Sequence, residues 1–177
     1  MSASRAAAFL DRDGVLNVDH GYTYKLNDLS LIPGAGAGVR RLNDSGFLVV
    51  IVTNQSGIGR GYYSQSDMAN FNNLLCDRLH QAGARVDAIY FSPYHPEATI
   101  ECYRKDHPDR KPGPGMILRA CKDLAIELRN SFLIGDKPSD IEAAHAVGVA
   151  GYLFDEPNID DFIIKVLEKR EVIGHAK

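Results

Sequence analysis

Two aspartates, Asp11 and Asp13, stand two residues apart in the segment FLDRDG. Carboxylates this close repel one another unless a cation lies between them. Mg²⁺ prefers a small set of hard oxygen ligands and keeps several waters, so it commonly bridges to a phosphate. A carboxylate can also attack phosphorus and form an aspartyl-phosphate. Taken alone, such a pair more often marks a helix cap or a solvated turn.

Two other segments carry groups that suit an anionic substrate. In VTNQSGIGRG, Thr53 offers a hydroxyl, while Asn54 and the glycine-rich turn offer backbone N–H groups to an anionic oxygen. In IGDKPSD, Asp136 could complete a metal site, with Lys137 and Asp140 close behind it. Each segment alone is unspecific. Together with the acid pair, they favour one site that handles a phosphate.

The elements that must position these residues alternate along the chain. Apolar runs predict five strands, at residues 6–10, 47–52, 86–91, 131–135 and 150–154. Helices are predicted near 34–46, at 64–82 with a cap offered by SQSD from Ser64, from Pro114, at 139–148 with Ser139 as the cap, and at 160–170. This alternation implies right-handed crossovers and an α/β fold, a doubly wound parallel sheet of the Rossmann-like kind. Sites in such sheets form at the carboxyl ends of strands, where the polar segments fall.

The bulk composition narrows the class of protein. The chain has 177 residues, of which 45% are hydrophobic, and this suits one compact domain spanning residues 1–177. A net charge of -3 with scattered cations argues against nucleic-acid and membrane partners. Three cysteines without a CxxC spacing argue against disulfides, and the first apolar run is too short for a signal or a membrane span. We expect a soluble, cytoplasmic monomer.

Four motifs, DRDG, TNQ, RKP and GDKPSD, occur in the order that is typical of the haloacid-dehalogenase-like (HAD-like) phosphohydrolase superfamily, which the chain resembles from Ala8 to about Phe154. The longer segments FLDRDGVLNVDHGY, VTNQSGIGRG, DRKPGPGM and GDKPSDIEAA resemble the D-glycero-D-manno-heptose 1,7-bisphosphate 7-phosphatases. This resemblance implies a HAD core without a cap domain, with the first strand between the second and the fourth. It also implies Mg²⁺-dependent removal of the C7 phosphate, in the supply of activated heptose for surface polysaccharide such as lipopolysaccharide.

The resemblance also implies a role for each motif residue. Asp11 would attack phosphorus, and Asp13 would protonate the departing oxygen and then activate water. Mg²⁺ would be held by Asp11, the backbone carbonyl of Asp13 and Asp136, while Thr53 and Lys111 would bind the phosphoryl oxygens. The other residues that the resemblance implies for phosphate or sugar binding are Asp19, His20, Gly21, Tyr22, Asn54, Gln55, Ser56 and Lys137.

The segment from Ser92 to Pro112 departs from the pattern of these relatives, which commonly hold a structural zinc there with Cys-Pro-His and Cys-x-Cys. The matching positions in this chain are Ser92, Tyr94, His107 and Asp109. Because the cysteine ligands are missing, we do not expect zinc. A rearranged site stays open, and its candidate ligands are His95, Cys102, His107 and Asp109. At the end of the segment, Arg110 offers a planar fork to a second anion, such as the 1-phosphate of a sugar bisphosphate.

Three alternative functions are considered, and a different feature of the sequence argues against each. A histidinol-phosphate phosphatase belongs to the same branch but usually has a shorter loop here. A nucleic-acid 3′-phosphatase shares the TNQ segment, but the chain shows no basic groove. A non-catalytic phospho-sugar binding protein would more often have lost Asp11 or Asp13. The preferred anomer stays open.

Overall fold

A five-stranded parallel sheet forms the centre of the protein. The computed structural model describes residues 5–175. The strands are β1 (Ala7–Leu10), β2 (Leu48–Asn54), β3 (Ala88–Ser92), β4 (Phe132–Gly135) and β5 (Ala150–Leu153). They lie in the order β3-β2-β1-β4-β5, so β1 is between β2 and β4, as the resemblance implies.

The helices cover both faces of this sheet, which confirms the doubly wound arrangement. They are α1 (Ala35–Asp44), α2 (Ser56–Gly59), α3 (Gln65–Gln81), α4 (Gly115–Leu124), α5 (Pro138–His145) and α6 (Ile159–His175). Two short 3-10 helices, Leu26–Asp28 and Glu101–Tyr103, lie in the loops. Ala8 and Leu10 of β1 pack in one core with α1, α3 and α6, whereas Ala7 and Phe9 pack in the other with α4 and α5. This alternation follows from the two-residue period of a strand.

Two helix starts show how well local signals predict boundaries. The predicted cap Ser64 is confirmed: its Oγ accepts from the Asp67 N–H at 3.0 Å, and the Asp67 carboxylate accepts from the Ser64 N–H at 2.8 Å. The predicted cap Ser139 is wrong. Helix α5 begins at Pro138, and the carboxylate of Asp140 accepts from the N–H of Lys137, the true N-cap, at 3.0 Å. Proline fits the first helical position because its missing N–H needs no partner there.

The parallel register brings the polar segments to one edge of the sheet. Leu10 at the end of β1 lies opposite Ile51 and Ile134, so Asp11 emerges between β2 and β4. The backbone N–H of Asp11 continues the ladder by donating to the Ile134 carbonyl at 3.0 Å. Within residues 5–175, no helix has the length and apolar character needed to cross a membrane.

Candidate active site

A cavity of about 500 Å³ lies at the carboxyl edge of the sheet. Most of the residues predicted from the sequence line it: Asp11, Asp13, Asp19, Gly21, Tyr22, Thr53, Asn54, Gln55, Ser56, Arg110, Lys111 and Lys137. His20 is exposed and is not among the lining residues. Asp136 is not among them either, but its carboxylate lies beside that of Asp11. Residues from four separate loops therefore meet in one place.

Asp11 and Lys111 form a buried ion pair at the bottom of this cavity. Lys111 Nζ lies 3.0 Å from Asp11 Oδ1, 2.6 Å from Asp140 Oδ1 and 2.8 Å from the Val52 carbonyl oxygen. Burial raises the pKa of Asp11, although Lys111 opposes this. Burial alone would lower the pKa of Lys111, but Asp11 and Asp140 reverse this and raise it. Lys111 is therefore a fixed positive charge beside the candidate nucleophile.

The side chain of Asn54 holds Lys111 in this position. Its Nδ2 donates to the Lys111 carbonyl at 3.1 Å, and its Oδ1 accepts from the Lys111 N–H at 3.0 Å. Both polar ends of the amide are thus used by the backbone of the loop between β3 and α4. Although Asn54 lines the cavity, its amide serves first to position the loop rather than to contact substrate.

Three carboxylates form the only candidate cation cluster among the described residues. Oxygens of Asp11, Asp136 and Asp140 all lie within 4.8 Å of one another. Asp140 already accepts from Lys111 and from the Lys137 N–H, but Asp136 Oδ1 is buried and has no hydrogen-bond partner. Burial, followed by the charge of Asp11, raises the pKa of Asp136 to about 6. An unpartnered carboxylate oxygen next to a second carboxylate fits a Mg²⁺ ion, which prefers oxygen ligands.

Gly14 gives Asp136 the space to reach this position. Its φ is +85°, and a Cβ added to it would lie 2.3 Å from Asp136 Oδ2. A side chain at position 14 would thus collide with a candidate metal ligand and would also be strained in the left-handed region. The glycine of the DRDG motif is required by both the backbone turn and the acid cluster.

Asp13, the candidate proton donor, is held from three sides. Arg12 contacts both of its oxygens at 3.0 Å, Asn17 Nδ2 donates to Oδ1 at 2.9 Å, and Gln55 Nε2 donates to Oδ2 at 2.9 Å. The side chain of Asp13 is 15% exposed, so it still reaches the cavity. The carboxylate is therefore fixed in orientation while it remains accessible to a bound molecule.

Thr53, near the end of β2, and Gln55, directly after this strand, form the adjoining wall. Gln55 Nε2 donates to Thr53 Oγ1 at 2.8 Å, and Gln55 Oε1 accepts from the hydroxyl of Tyr63 at 2.6 Å. Because the Thr53 oxygen accepts a hydrogen bond from Gln55, its own proton is available to an anionic oxygen in the cavity. Gln55 is buried and connects Thr53 with Asp13, so its amide orders the site. The glycine-rich turn that follows contains the short helix α2.

The loop from Asp19 to Tyr22 lies over the mouth of the cavity. The Lys137 Nζ lies 3.3 Å from Asp19 Oδ2, which links this loop to the N-terminus of α5. Burial lowers the pKa of Lys137, but Asp136 and Asp19 more than offset this and raise it. Tyr22 has a φ of +53°, a backbone conformation that few non-glycine residues adopt. It is 45% exposed, and its ring packs edge-on against the Tyr62 ring with centroids 4.8 Å apart.

Arg110 is half-buried on the opposite side of the cavity. Its Nη1 donates to the Tyr94 carbonyl at 3.2 Å. Burial, and then the charge of Arg60, lower the pKa of the Arg110 guanidinium. Arg60 contacts the ring of His95 and lies 3.5 Å from Glu97. The guanidinium groups of Arg60 and Arg110 repel one another, and an anion bound in the cavity beside Arg110 would offset this repulsion.

The positions that match zinc ligands in the heptose phosphatases make contacts with other protein groups. The rings of Tyr94 and His107 are stacked with centroids 3.8 Å apart. Asp109 is buried and forms an ion pair with Arg119, while its N–H donates to His107 Nδ1 at 3.1 Å. Ser92 is fully buried. Ring stacking and an ion pair stabilise this loop at the positions where the relatives are expected to bind zinc. The absence of zinc from this chain stays a prediction.

Several residues of the site were given no role from the sequence. Arg12 stands between the two aspartates, and in sequence a charged residue there resembles a solvated spacer. Asn17 lies within FLDRDGVLNVDHGY but was given no role, Tyr63 lies just after VTNQSGIGRG, and Asp140 was noted only as a further acid. Their roles depend on contacts among the loops that follow β1, β2 and β3 and the helices α3 and α5, which only the folded structure shows. The one local signal was the capping spacing of Asp140, three residues after Lys137.

Comparisons with known proteins agree with this geometry. Residues 109–156 match the family model described as HAD-hydrolase-like. The D-glycero-beta-D-manno-heptose-1,7-bisphosphate 7-phosphatase of Rhodopseudomonas palustris is 45% identical over 163 residues, which are 92% of this chain and 91% of the relative. The enzyme of the same name from Escherichia coli K12 is 40% identical over 84% of this chain and 78% of its own length.

A solved structure shows the same architecture. The D,D-heptose 1,7-bisphosphate phosphatase of B. bronchiseptica, complexed with magnesium and phosphate, is similar with a TM-score of 0.80 and 26% identity. The match covers 93% of this chain and 99% of that one.

Proposed function

The chain belongs to the heptose-1,7-bisphosphate 7-phosphatase family of HAD-like hydrolases, and we propose that it removes the C7 phosphate of D-glycero-D-manno-heptose 1,7-bisphosphate through an aspartyl-phosphate. The observation that carries this proposal is the meeting of Asp11, Asp13, Thr53 and Lys111 in one cavity. Carboxylates alone would suit many cation sites. A nucleophile, a proton donor and two phosphoryl-binding groups suit the transfer of a phosphoryl group.

In the first step, the Asp11 carboxylate attacks phosphorus and the bond between phosphorus and the C7 oxygen breaks. Asp13 donates a proton to that oxygen, so the sugar leaves as an alcohol. Lys111 and the Thr53 hydroxyl bind the phosphoryl oxygens, where negative charge is spread in the transition state. The ion pair between Lys111 and Asp11 places this cation next to the attacking oxygen.

In the second step, water attacks phosphorus and the bond to Asp11 breaks. Asp13 accepts the proton of the water, which restores the starting state and releases inorganic phosphate. Asp11, the Asp13 backbone carbonyl and Asp136 would hold Mg²⁺, since Asp136 Oδ1 has no partner within the described residues. Bound Mg²⁺ supplies positive charge that offsets the charges of the carboxylates and the phosphoryl group.

The remaining cations suit a substrate with two phosphates. Arg110 would bind the 1-phosphate with its planar guanidinium, while Lys111 contacts the phosphate that is transferred. The exposed loop from Asp19 to Tyr22 would contact the sugar between the two phosphates. A monophosphate such as histidinol phosphate leaves Arg110 without an anionic partner, so the cavity favours a bisphosphate.

The proposal extends to the oligomeric state, the domain organisation, the location in the cell and the partners. The chain would act as a monomer on a small sugar bisphosphate, in one domain spanning residues 1–177. It would work in the cytoplasm, where nucleotide-activated heptose is made for lipopolysaccharide. The net charge of -3 supports the absence of a nucleic-acid partner.

The nucleophile assignment is tested by Asp11→Asn. An amide is nearly isosteric with the carboxylate but is not a nucleophile, so we expect no phosphate release from heptose bisphosphate with Mg²⁺. The fold is expected to survive the substitution. Circular dichroism and a cooperative thermal unfolding transition would check this. Full turnover by a correctly folded Asp11→Asn protein would contradict the mechanism.

A further inference from the structure

Arg12 is a fully buried arginine in the middle of the DRDG motif. None of its surface is exposed, and it is the largest side chain among those that are completely buried. Arginine is seldom buried in full, because removing its charge from water costs free energy unless it is paired and hydrogen-bonded. Its position next to both catalytic aspartates raises the question of what its burial achieves.

The Arg12 guanidinium contacts both oxygens of the Asp13 carboxylate. Its Nε lies 3.2 Å from Asp13 Oδ1, and its Nη2 lies 3.0 Å from both Oδ1 and Oδ2. A planar fork that contacts both oxygens restricts rotation of the carboxylate much more than a single point charge would. The contact therefore fixes the plane in which Asp13 faces the cavity.

Other buried groups fix the guanidinium itself. Its Nη1 donates to Asn72 Oδ1 of α3 at 2.9 Å, and its Nη2 donates to the Thr23 carbonyl at 2.7 Å. Its Cζ lies 4.7 Å from the centre of the Phe71 ring. Asn72 and Phe71 are on a helix, so the anchor is a rigid element of the fold.

The bond to the Thr23 carbonyl connects Asp13 with the loop over the cavity mouth. Thr23 is buried, and its Oγ1 accepts from the His20 N–H at 2.9 Å. Asp19, Gly21 and Tyr22 of the same loop line the cavity. One guanidinium thus sits between the candidate proton donor and the segment that would contact the sugar.

We propose that Arg12 is a positioning residue, which holds the Asp13 carboxylate in the orientation needed for proton transfer to the leaving oxygen. This inference rests on the proposed function, in which Asp13 is the acid and base. Arg12 is fully buried and is not among the residues that line the cavity, so it would act through Asp13. Its loss should impair the protonation of a poor leaving group more than the attack by Asp11.

The test compares two substrates with Arg12→Lys, which keeps the charge but loses the fork. Kinetics with Mg²⁺ are measured on heptose bisphosphate, whose alkoxide needs a proton, and on p-nitrophenyl phosphate, whose phenolate leaves without one. We expect kcat/KM, which reports only the steps up to departure of the leaving group, to fall on the order of 10²-fold for the sugar and only a few-fold for the aryl phosphate. An equal fall for both substrates in a folded protein would overturn the proposal.

Two further variants separate positioning from loss of stability. Ile163→Val removes a methyl group from α6 in the core beside Gly38, and should leave unchanged the ratio of kcat/KM for the aryl phosphate to kcat/KM for the sugar. If Arg12→Lys does not fold, Asn72→Ala decides the question, because it frees the far side of the guanidinium while Arg12 stays in place. A several-fold rise in the ratio for Asn72→Ala supports the proposal, and an unchanged ratio overturns it.

This test is independent of the identity of the natural sugar. It needs only one alkyl phosphate that the wild-type protein turns over. If heptose bisphosphate is not a substrate, the proposed function fails, while the comparison with another alkyl phosphate still decides the role of Arg12.

Discussion

Replacing Asp136 with asparagine should stabilise the metal-free protein. Burial and the nearby charge of Asp11 raise the pKa of Asp136 to about 6, from an ordinary value of 3.8. Below pH 3.8 the carboxyl is protonated in both the folded and the unfolded state, so it costs no stability. As pH rises from 3.8 to about 6, the unfolded chain ionises first and the folded state becomes less stable. Above that range the full cost is present.

The size of this loss of folding stability follows from the shift in the pKa of Asp136. About two pKa units correspond to roughly 3 kcal/mol at about 1.36 kcal/mol per unit. Because Asp136 is only partly buried, solvent screening reduces the figure, and we expect about 1 to 2 kcal/mol. For a chain of this size, that raises the melting temperature by roughly 3–6 °C. Asparagine keeps the shape of the side chain but cannot ionise.

The assay is thermal unfolding in EDTA and in Mg²⁺. In EDTA at pH 7.5, Asp136→Asn should melt above the wild type, and the difference should shrink as pH is lowered towards 5. In Mg²⁺ at about 100 times its Kd, the wild type should gain about 2.7 kcal/mol, while the variant gains little. Glu142→Gln, which removes one exposed charge from α5, is the matched control and should change neither result.

A melting temperature of Asp136→Asn below that of the wild type in EDTA would refute the argument that burial and the charge of Asp11 make the ionised Asp136 carboxylate destabilising in the metal-free protein. Equal stabilisation of both proteins by Mg²⁺ would refute its role as a ligand. The two outcomes are separable, because the first depends only on charge and burial and the second depends on the ion.

Two other predictions follow from the contacts of the loop between β3 and α4. Arg110→Ala should raise KM for heptose bisphosphate at least tenfold more than KM for a heptose monophosphate, because only the bisphosphate uses the second cation; steady-state kinetics with equal effects on both would remove this role. Elemental analysis should find no stoichiometric zinc, because Tyr94 stacks on His107 and Asp109 pairs with Arg119. One zinc per chain, lost together with folding in a chelator, would contradict this second prediction.

The sequence predicts the sheet and the location of the site well, because both depend on local patterns. Apolar runs such as residues 47–52 predict buried strands, and the acids that follow them must meet at one edge of a parallel sheet. The strand boundaries differ by one or two residues, since the ends of strands are set by pairing with neighbours. Strand β2 extends to Asn54 because β3 pairs with it there.

The interactions between the site residues could not be predicted from local patterns. The sequence predicts that Asn54 contacts substrate, yet its amide forms hydrogen bonds with the backbone of Lys111, 57 positions away. Arg12 reads as a spacer, yet it is buried against α3 and Asp13. Such roles depend on which side chains share a buried volume, and this is fixed only when distant segments pack together.

The central claim is tested most directly by a substrate panel with Mg²⁺. The panel contains both anomers of D-glycero-D-manno-heptose 1,7-bisphosphate, the heptose monophosphates and histidinol phosphate. We predict that one of the bisphosphate anomers has the highest kcat/KM and that phosphate is released from C7. The highest kcat/KM on histidinol phosphate would contradict the account.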